Sequence, residues 1–166
     1  DRQARVLVVT VELSTLHLQP ATEIEPLLAM LQFGDGAAAA LVSAEPGGFA
    51  LDRPFAAALP DSSELIRWDV TDRGFAMHLS GEVPGRIAAA LADRALADAG
   101  GVAPAEVDGW AVHAGGRSIL DAVEGALGLD PAALAHSRAV LADYGNMSSS
   151  TLMFVLARLL AGPPVR

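Results

Sequence analysis

Asp143-Tyr144-Gly145-Asn146-Met147-Ser148-Ser149-Ser150 runs directly into an apolar stretch from Leu152 to Leu160. A glycine, a carboxamide and a run of hydroxyls ahead of apolar residues read as a turn that opens a helix, with Ser148 to Ser150 as first-turn and capping residues. Asn146 then stands at or just before the positive end of that helix. Its NH2 and the free backbone N–H groups of the first turn would converge on an oxyanion. The plainer reading of the same residues is a Gly-Asn turn followed by caps.

Moving outward, Trp110-Ala111-Val112-His113-Ala114-Gly115-Gly116 reads as an apolar strand, Gly109 to His113, that ends in a histidine and two glycines. Ser118 to Leu127 reads as a helix with Gly128 as its stop, and Asp130-Pro131 caps another that runs to about Leu141. Upstream, Val83 to Ala99 is the clearest helix. Pro84 opens it, Val83, Ile87, Leu91 and Ala95 form its stripe, and Gly100-Gly101 closes it. Phe49 to Leu59, Glu64 to Val70 and Phe75 to Leu79 read as strands of a small antiparallel layer. Glu23 to Gln32 has apolar residues on one helix face. Phe33-Gly34-Asp35-Gly36 reads as a tight turn before a strand from Ala37 to Ala44, with the aspartate bonding nearby N–H groups. Ser14 to Thr22 reads as a loop. Ala4 to Leu13, rich in Val and Leu, suits a strand buried on both faces. Together these elements predict a mixed α/β fold with a layered sheet.

Composition narrows the function. At 166 residues the chain is expected to be one domain that buries about two-thirds of its unfolded surface. It is 52% hydrophobic with a mean hydropathy of +0.37, which excludes disorder. A net charge of −9 supplies no basic face for a phosphate backbone, so no nucleic-acid partner is expected. Cysteine is absent, which excludes disulfides, thiolate metal sites and a cysteine nucleophile within these residues. His17, His78, His113 and His136 lack ligand spacing, so no metal is expected. The apolar run after Arg2 and Arg5 is stopped by Glu12. The C-terminal run contains Arg158 and ends at Gly162-Pro163-Pro164. Neither makes a secretory or membrane-spanning segment, and a cytoplasmic protein is expected.

The combination of Trp110-Ala111-Val112-His113-Ala114-Gly115-Gly116, Tyr144-Gly145-Asn146-Met147-Ser148-Ser149 and Phe33-Gly34-Asp35-Gly36-Ala37 resembles the type III polyketide synthases. This is the chalcone and stilbene synthase family of the thiolase superfamily. Order and rough spacing match, and the likeness runs from about Arg5 to Leu160. Leu16-His17-Leu18-Gln19 resembles the bacterial members.

The resemblance implies the C-terminal half of a thiolase fold over residues 1–166, with the ends of the parent enzyme lying beyond this chain. It implies an acyltransferase that condenses malonyl-CoA, with decarboxylation, onto an acyl-CoA starter. Coenzyme A thioesters would be substrates, no cofactor would be needed, and the intact enzyme would be a homodimer. His113 and Asn146 fall on the family's catalytic histidine and asparagine. Met77, located by the nearby Val83-Pro84-Gly85, falls where many members place a phenylalanine at the junction of tunnel and cavity. Gly115, Gly116 and Ser148 would line the cavity wall, and Arg117 and Ser118 would lie by the coenzyme A tunnel. Ala114 stands where the family usually has proline. The family's nucleophilic cysteine lies upstream of the first strand here, and its closing Gly-Phe-Gly-Pro-Gly loop has no counterpart. The alternative is a non-catalytic thiolase-like module that binds an acyl-CoA or pairs with a partner subunit. A ketoacyl-acyl carrier protein synthase III would carry a different motif after its histidine. An apolar face left where the other half should sit would make the piece self-associate or pair with that half.

Overall fold

The computed structural model describes residues 4–93 and 102–163. Strand β1 (Arg5–Glu12) and strand β2 (Gly36–Ser43) form an antiparallel pair, in register from Arg5↔Ser43 to Glu12↔Gly36. A short 3-10 turn (Ser14–His17) and helix α1 (Ile24–Leu31) connect them. Strands β3 (Ile66–Thr71) and β4 (Gly74–Leu79) make a separate antiparallel hairpin. Helices α2 (Val83–Ala92), α3 (Arg117–Leu127), α4 (Ala135–Tyr144) and α5 (Ser149–Ala161), with a second 3-10 turn (Pro104–Glu106), complete the described elements.

Two apolar clusters pack helices α2 to α5 and the segment 110–114 together. Ala114, Leu120, Val123 and Leu134 form one, joined by Ile87 and Leu91 of α2. Val140, Met147, Val155 and Leu159 form the other, between α4 and α5. The segment 110–114 runs between them with strict alternation. Trp110, Val112 and Ala114 enter the first cluster, and Ala111 enters the second. That is the period of an extended chain, in which successive side chains point to opposite faces.

Several elements differ from the sequence reading. Segment 109–113 is extended but joins no sheet among the described residues, because no strand lies beside it. Among the described residues the expected layered sheet is two separate antiparallel pairs, and the parallel contact is a single bridge, Phe33 to Asn146. Residues 49–59 form no strand. Pro54 has no N–H to give to a ladder there, and no neighbouring strand pairs with it. Helix α2 stops at Ala92, where Asp93 turns extended with ψ 109°. The expected stretch around Ala95 to Gly101 lies outside the described residues. Helix α4 begins at Ala135, a turn later than expected. Asp130 instead caps the preceding turn, accepting the Ala132 N–H at 2.8 Å.

Strand β1 is not buried on both faces. Thr10 and Glu12 face α5, but on the other face Leu7, Val9 and Val11 are 58–64% exposed, as is Leu41 opposite Leu7 (63%). The stripe of α1 also points outward, since Ile24, Leu28 and Leu31 are exposed while Ala29 is buried. The periodicity of both elements is real. The surface that would cover them is not supplied by the described residues.

The Gly34-Asp35-Gly36 turn is a cradle for the asparagine loop. The Gly34 N–H bonds the Asn146 carbonyl at 2.8 Å. A Cβ on Gly36 would lie 2.8 Å from the Met147 Cβ and 2.7 Å from its sulfur. Asp35 accepts the Thr15 N–H at 2.8 Å and the Thr15 hydroxyl at 2.6 Å, which holds its carboxyl below the usual range and anchors the 3-10 turn. Gly36→Ala is therefore expected to destabilise the protein by about 1–3 kcal/mol, as overpacking does. Gly85→Ala, whose added Cβ meets nothing within 4 Å in α2, is expected to be neutral or stabilising by up to ~1 kcal/mol. Denaturant melts of the two variants check both signs.

Candidate functional site

The alternation that sends Trp110, Val112 and Ala114 into the core leaves His113 on the opposite face. There it lines a cavity of about 1090 Å3. After His113 the chain turns sharply, with the Gly115 N–H on the His113 carbonyl at 2.9 Å. The imidazole folds back over this turn. A Cβ on Gly115 would sit 3.3 Å from His113 Nε2, so a bare α-carbon is what lets the ring lie there. Ala114 is fully buried beneath the turn.

Asn146 arrives from the other side. Gly145 ends α4 at φ 73°, its N–H on the Leu141 carbonyl, a left-handed backbone that glycine accepts freely. The Asn146 side chain is buried, yet it lines the same cavity. Its Oδ1 accepts the Ser148 N–H at 2.9 Å, and its Nδ2 donates to the Gly115 carbonyl at 3.1 Å. An obligate donor on one end and an obligate acceptor on the other settle which way the amide points. One of the two Nδ2 hydrogens has no acceptor among the described residues. His113 and Asn146 thus meet on Gly115, one packed on its α-carbon and the other bonded to its carbonyl.

The start of α5 departs from the expectation that its free N–H groups converge on an anion. Those groups are already taken. Ser148 bonds Asn146 Oδ1, Ser149 bonds Glu12, Ser150 bonds the Met147 carbonyl and Thr151 bonds the Ser148 carbonyl. Ser148 holds the N-cap position and Ser149 and Ser150 the first turn, as expected, but the Ser148 side chain makes no capping bond. Ser150 is fully buried against the sheet, its hydroxyl 2.9 Å from that of Thr10 and 3.1 Å from the Gly36 carbonyl. Thr151 takes the Met147 N–H at 2.8 Å. Ser148 sits at φ 52°, an uncommon conformation for a residue with a side chain, held by these bonds.

Of the other residues expected at the site, Met77, Gly115, Ser118 and Ser148 line the cavity. Gly116 does not. It backs onto Gln32, whose Nε2 would lie 3.1 Å from an added Cβ. Arg117 opens α3 away from the lining.

Two polar residues went unmarked in the sequence reading. Gln32 donates to the Gly115 carbonyl at 3.0 Å, making it the second amide on that oxygen. Its one signal is its place at the end of an apolar helix, directly before Phe33-Gly34-Asp35-Gly36. Glu12 lines the cavity and accepts both the N–H and the hydroxyl of Ser149. The far wall is aromatic. Trp68 on β3 packs against Phe33 and Phe75, and Phe75 meets His17 edge-on with centroids 4.9 Å apart. No cluster of metal-ligating side chains occurs among the described residues, and no described helix is long and apolar enough to cross a membrane.

The chain matches the family model for the C-terminal domain of chalcone and stilbene synthases over residues 51–161. It belongs to the chalcone and stilbene synthase family. Solved type III polyketide synthases share its fold. With 1,3,6,8-tetrahydroxynaphthalene synthase from Streptomyces coelicolor A3(2) it has 34% identity and a TM-score of 0.90, over 99% of this chain and 48% of that one. PKS-I from the brown alga Ectocarpus siliculosus gives 30% and 0.84, over 97% of this chain and 45% of that one. The C-terminal type III domain of Steely1, a type I/III hybrid from Dictyostelium, gives 26% and 0.81, over 97% and 48%. The chain therefore spans a little under half the length of these synthases. Its mixed α/β architecture is the thiolase-like fold of their C-terminal domains.

In this synthase-family chain, burial pulls the His113 pKa below the ordinary histidine value of 6.5, although the ring opens onto the cavity. The unfolded chain then binds the proton more tightly than the folded one. Stability from this group is present above pH 6.5 and is lost as the pH falls through the depressed value. An NMR titration is expected to give His113 a midpoint under 6.5 and a neutral ring at pH 7. A midpoint at or above the ordinary value contradicts this.

Proposed function

We propose that His113 and Asn146 are the paired donors of a type III polyketide synthase site. The observation that carries this is their meeting on Gly115 at the wall of one cavity, with the amide orientation set and one N–H left over. In the proposed reaction, the C–C bond to the malonyl carboxylate breaks and CO2 leaves. The bonding electrons pass into the thioester, whose oxygen becomes an enolate. A neutral imidazole N–H and the amide N–H stabilise that oxygen, and no general base is required for the step. The enolate carbon then attacks an acyl thioester on a cysteine, and the thiolate departs as the new C–C bond forms. This chain has no cysteine, so the nucleophile would come from sequence outside residues 1–166.

Acyl-CoA and malonyl-CoA are the proposed substrates, with no cofactor, and the intact enzyme is proposed to be a cytoplasmic homodimer. Met77 opposes Trp68 in the β3–β4 register, and both line the cavity. Methionine there gives a pliable wall for the starter or the growing chain. Ser118 and Ser148 supply hydroxyls to the same space.

His113→Ala and Asn146→Ala in the intact enzyme are each expected to slow CO2 release from malonyl-CoA by about 10²–10³, which corresponds to about 3–4 kcal/mol. The loss is expected in kcat rather than KM, because the charge develops only in the transition state. Asn146→Asp should be no better than Asn146→Ala, since a carboxylate donates nothing and would face the Gly115 carbonyl. Variants that release CO2 at the parent rate contradict the assignment. An intact enzyme that binds the thioester and never turns it over favours the non-catalytic module.

A further inference from the structure

Segment 109–113 has the alternation of a strand without a strand beside it among the described residues. Among the described residues, the side chain that ties its main chain to the rest of the fold comes from a helix. Ser137 of α4 is fully buried. Its hydroxyl donates to the Val112 carbonyl at 2.8 Å and accepts the Val112 N–H at 3.2 Å. One hydroxyl thus satisfies both backbone groups of the residue next to His113, as a neighbouring strand would. Among the described residues the segment's other hydrogen bond is the local turn from the Gly115 N–H to the His113 carbonyl, and the contacts of Trp110, Ala111, Val112 and Ala114 are apolar. Such contacts fix which face each side chain takes, but they are poorly directional and set the segment's axial place less finely than a hydrogen bond does. The Ser137 bonds are directional.

Helix α4 also delivers the other donor. It ends at Tyr144, and Gly145 turns the chain directly into Asn146. A peg on α4 therefore sets the axial place of the histidine segment against the same rigid element that places the carboxamide.

We propose that Ser137 is a positioning residue for His113: by pinning the Val112 peptide to α4, it fixes the imidazole relative to Asn146. This rests on the reading of those two residues as paired donors. Ser137 touches no substrate in this account and acts through the backbone.

The test combines backbone exchange, histidine reactivity and turnover. By hydrogen exchange on this protein, Ser137→Ala is expected to speed the Val112 amide by about tenfold or more, the size of one lost buried bond, while α3 and α5 keep their protection. The pH profile of His113 carbethoxylation is expected to shift in the same variant. Ser137→Thr keeps the hydroxyl and is expected to restore both. Ser137→Cys preserves the volume with a weak donor, so it carries the test if the alanine variant loses protection everywhere. In the intact enzyme, Ser137→Ala should lower kcat for malonyl-CoA decarboxylation about tenfold and leave KM within about twofold. Unchanged Val112 exchange and an unchanged His113 profile in both the alanine and cysteine variants overturn the positioning role. A parent enzyme that releases no CO2 overturns the proposed function instead, and exchange and carbethoxylation still decide the part played by Ser137.

Discussion

The carbonyl of Gly115 accepts the side-chain amides of Asn146 and Gln32, at 3.1 and 3.0 Å, while the His113 imidazole lies over the α-carbon of the same residue. The peptide of Gly115 brings together segments that are far apart in sequence: the end of α1, the turn after His113 and the loop between α4 and α5. A part-buried carbonyl with two good donors is costly to release, because each lost partner leaves it less well satisfied. The junction is therefore stiff, and stiffness is what a preorganised oxyanion site requires.

The fold supplies that stiffness from both sides. The histidine segment is wedged between two apolar clusters and tied to Ser137. The asparagine loop rests on the Gly34–Gly36 turn, is tied to β1 and β2 through Ser149 and Ser150, and is closed by Thr151 on the Met147 N–H. These bonds hold Ser148 at φ 52°. The saturation of the α5 N-terminus follows from the same arrangement. Its N–H groups organise the loop rather than face the cavity, which the carboxamide and the imidazole help to line.

Much of this is legible in the sequence. Gly145 and Asn146 ahead of an apolar run mark the loop, the alternation from Trp110 to Ala114 marks an extended segment, and the paired glycines mark the turns. Fold class, and the presence of His113 and Asn146 at one cavity, are legible because these signals are local and because three motifs recur in a familiar order. What was not readable depends on contacts between distant segments. Nothing near Gln32 indicates that its amide reaches Gly115. Nothing near Ser149 indicates that Glu12 takes its N–H, so the serines look like caps. Strand β1 looks buried on both faces because its composition suits that, yet the described residues cover only part of one face, at Thr10 and Glu12. The stretch 49–59 looks like a strand from its apolar content, but a strand needs a partner that local pattern does not provide.

The account turns on a single oxygen atom contacted by two donors. The most direct measurement is a crystal structure of the intact enzyme bound to a malonyl-CoA analogue in which a methylene replaces the thioester sulfur. The account predicts the analogue's carbonyl oxygen within about 3 Å of both an imidazole nitrogen of His113 and Nδ2 of Asn146. A carbonyl oxygen that lies out of hydrogen-bonding reach of either group contradicts it.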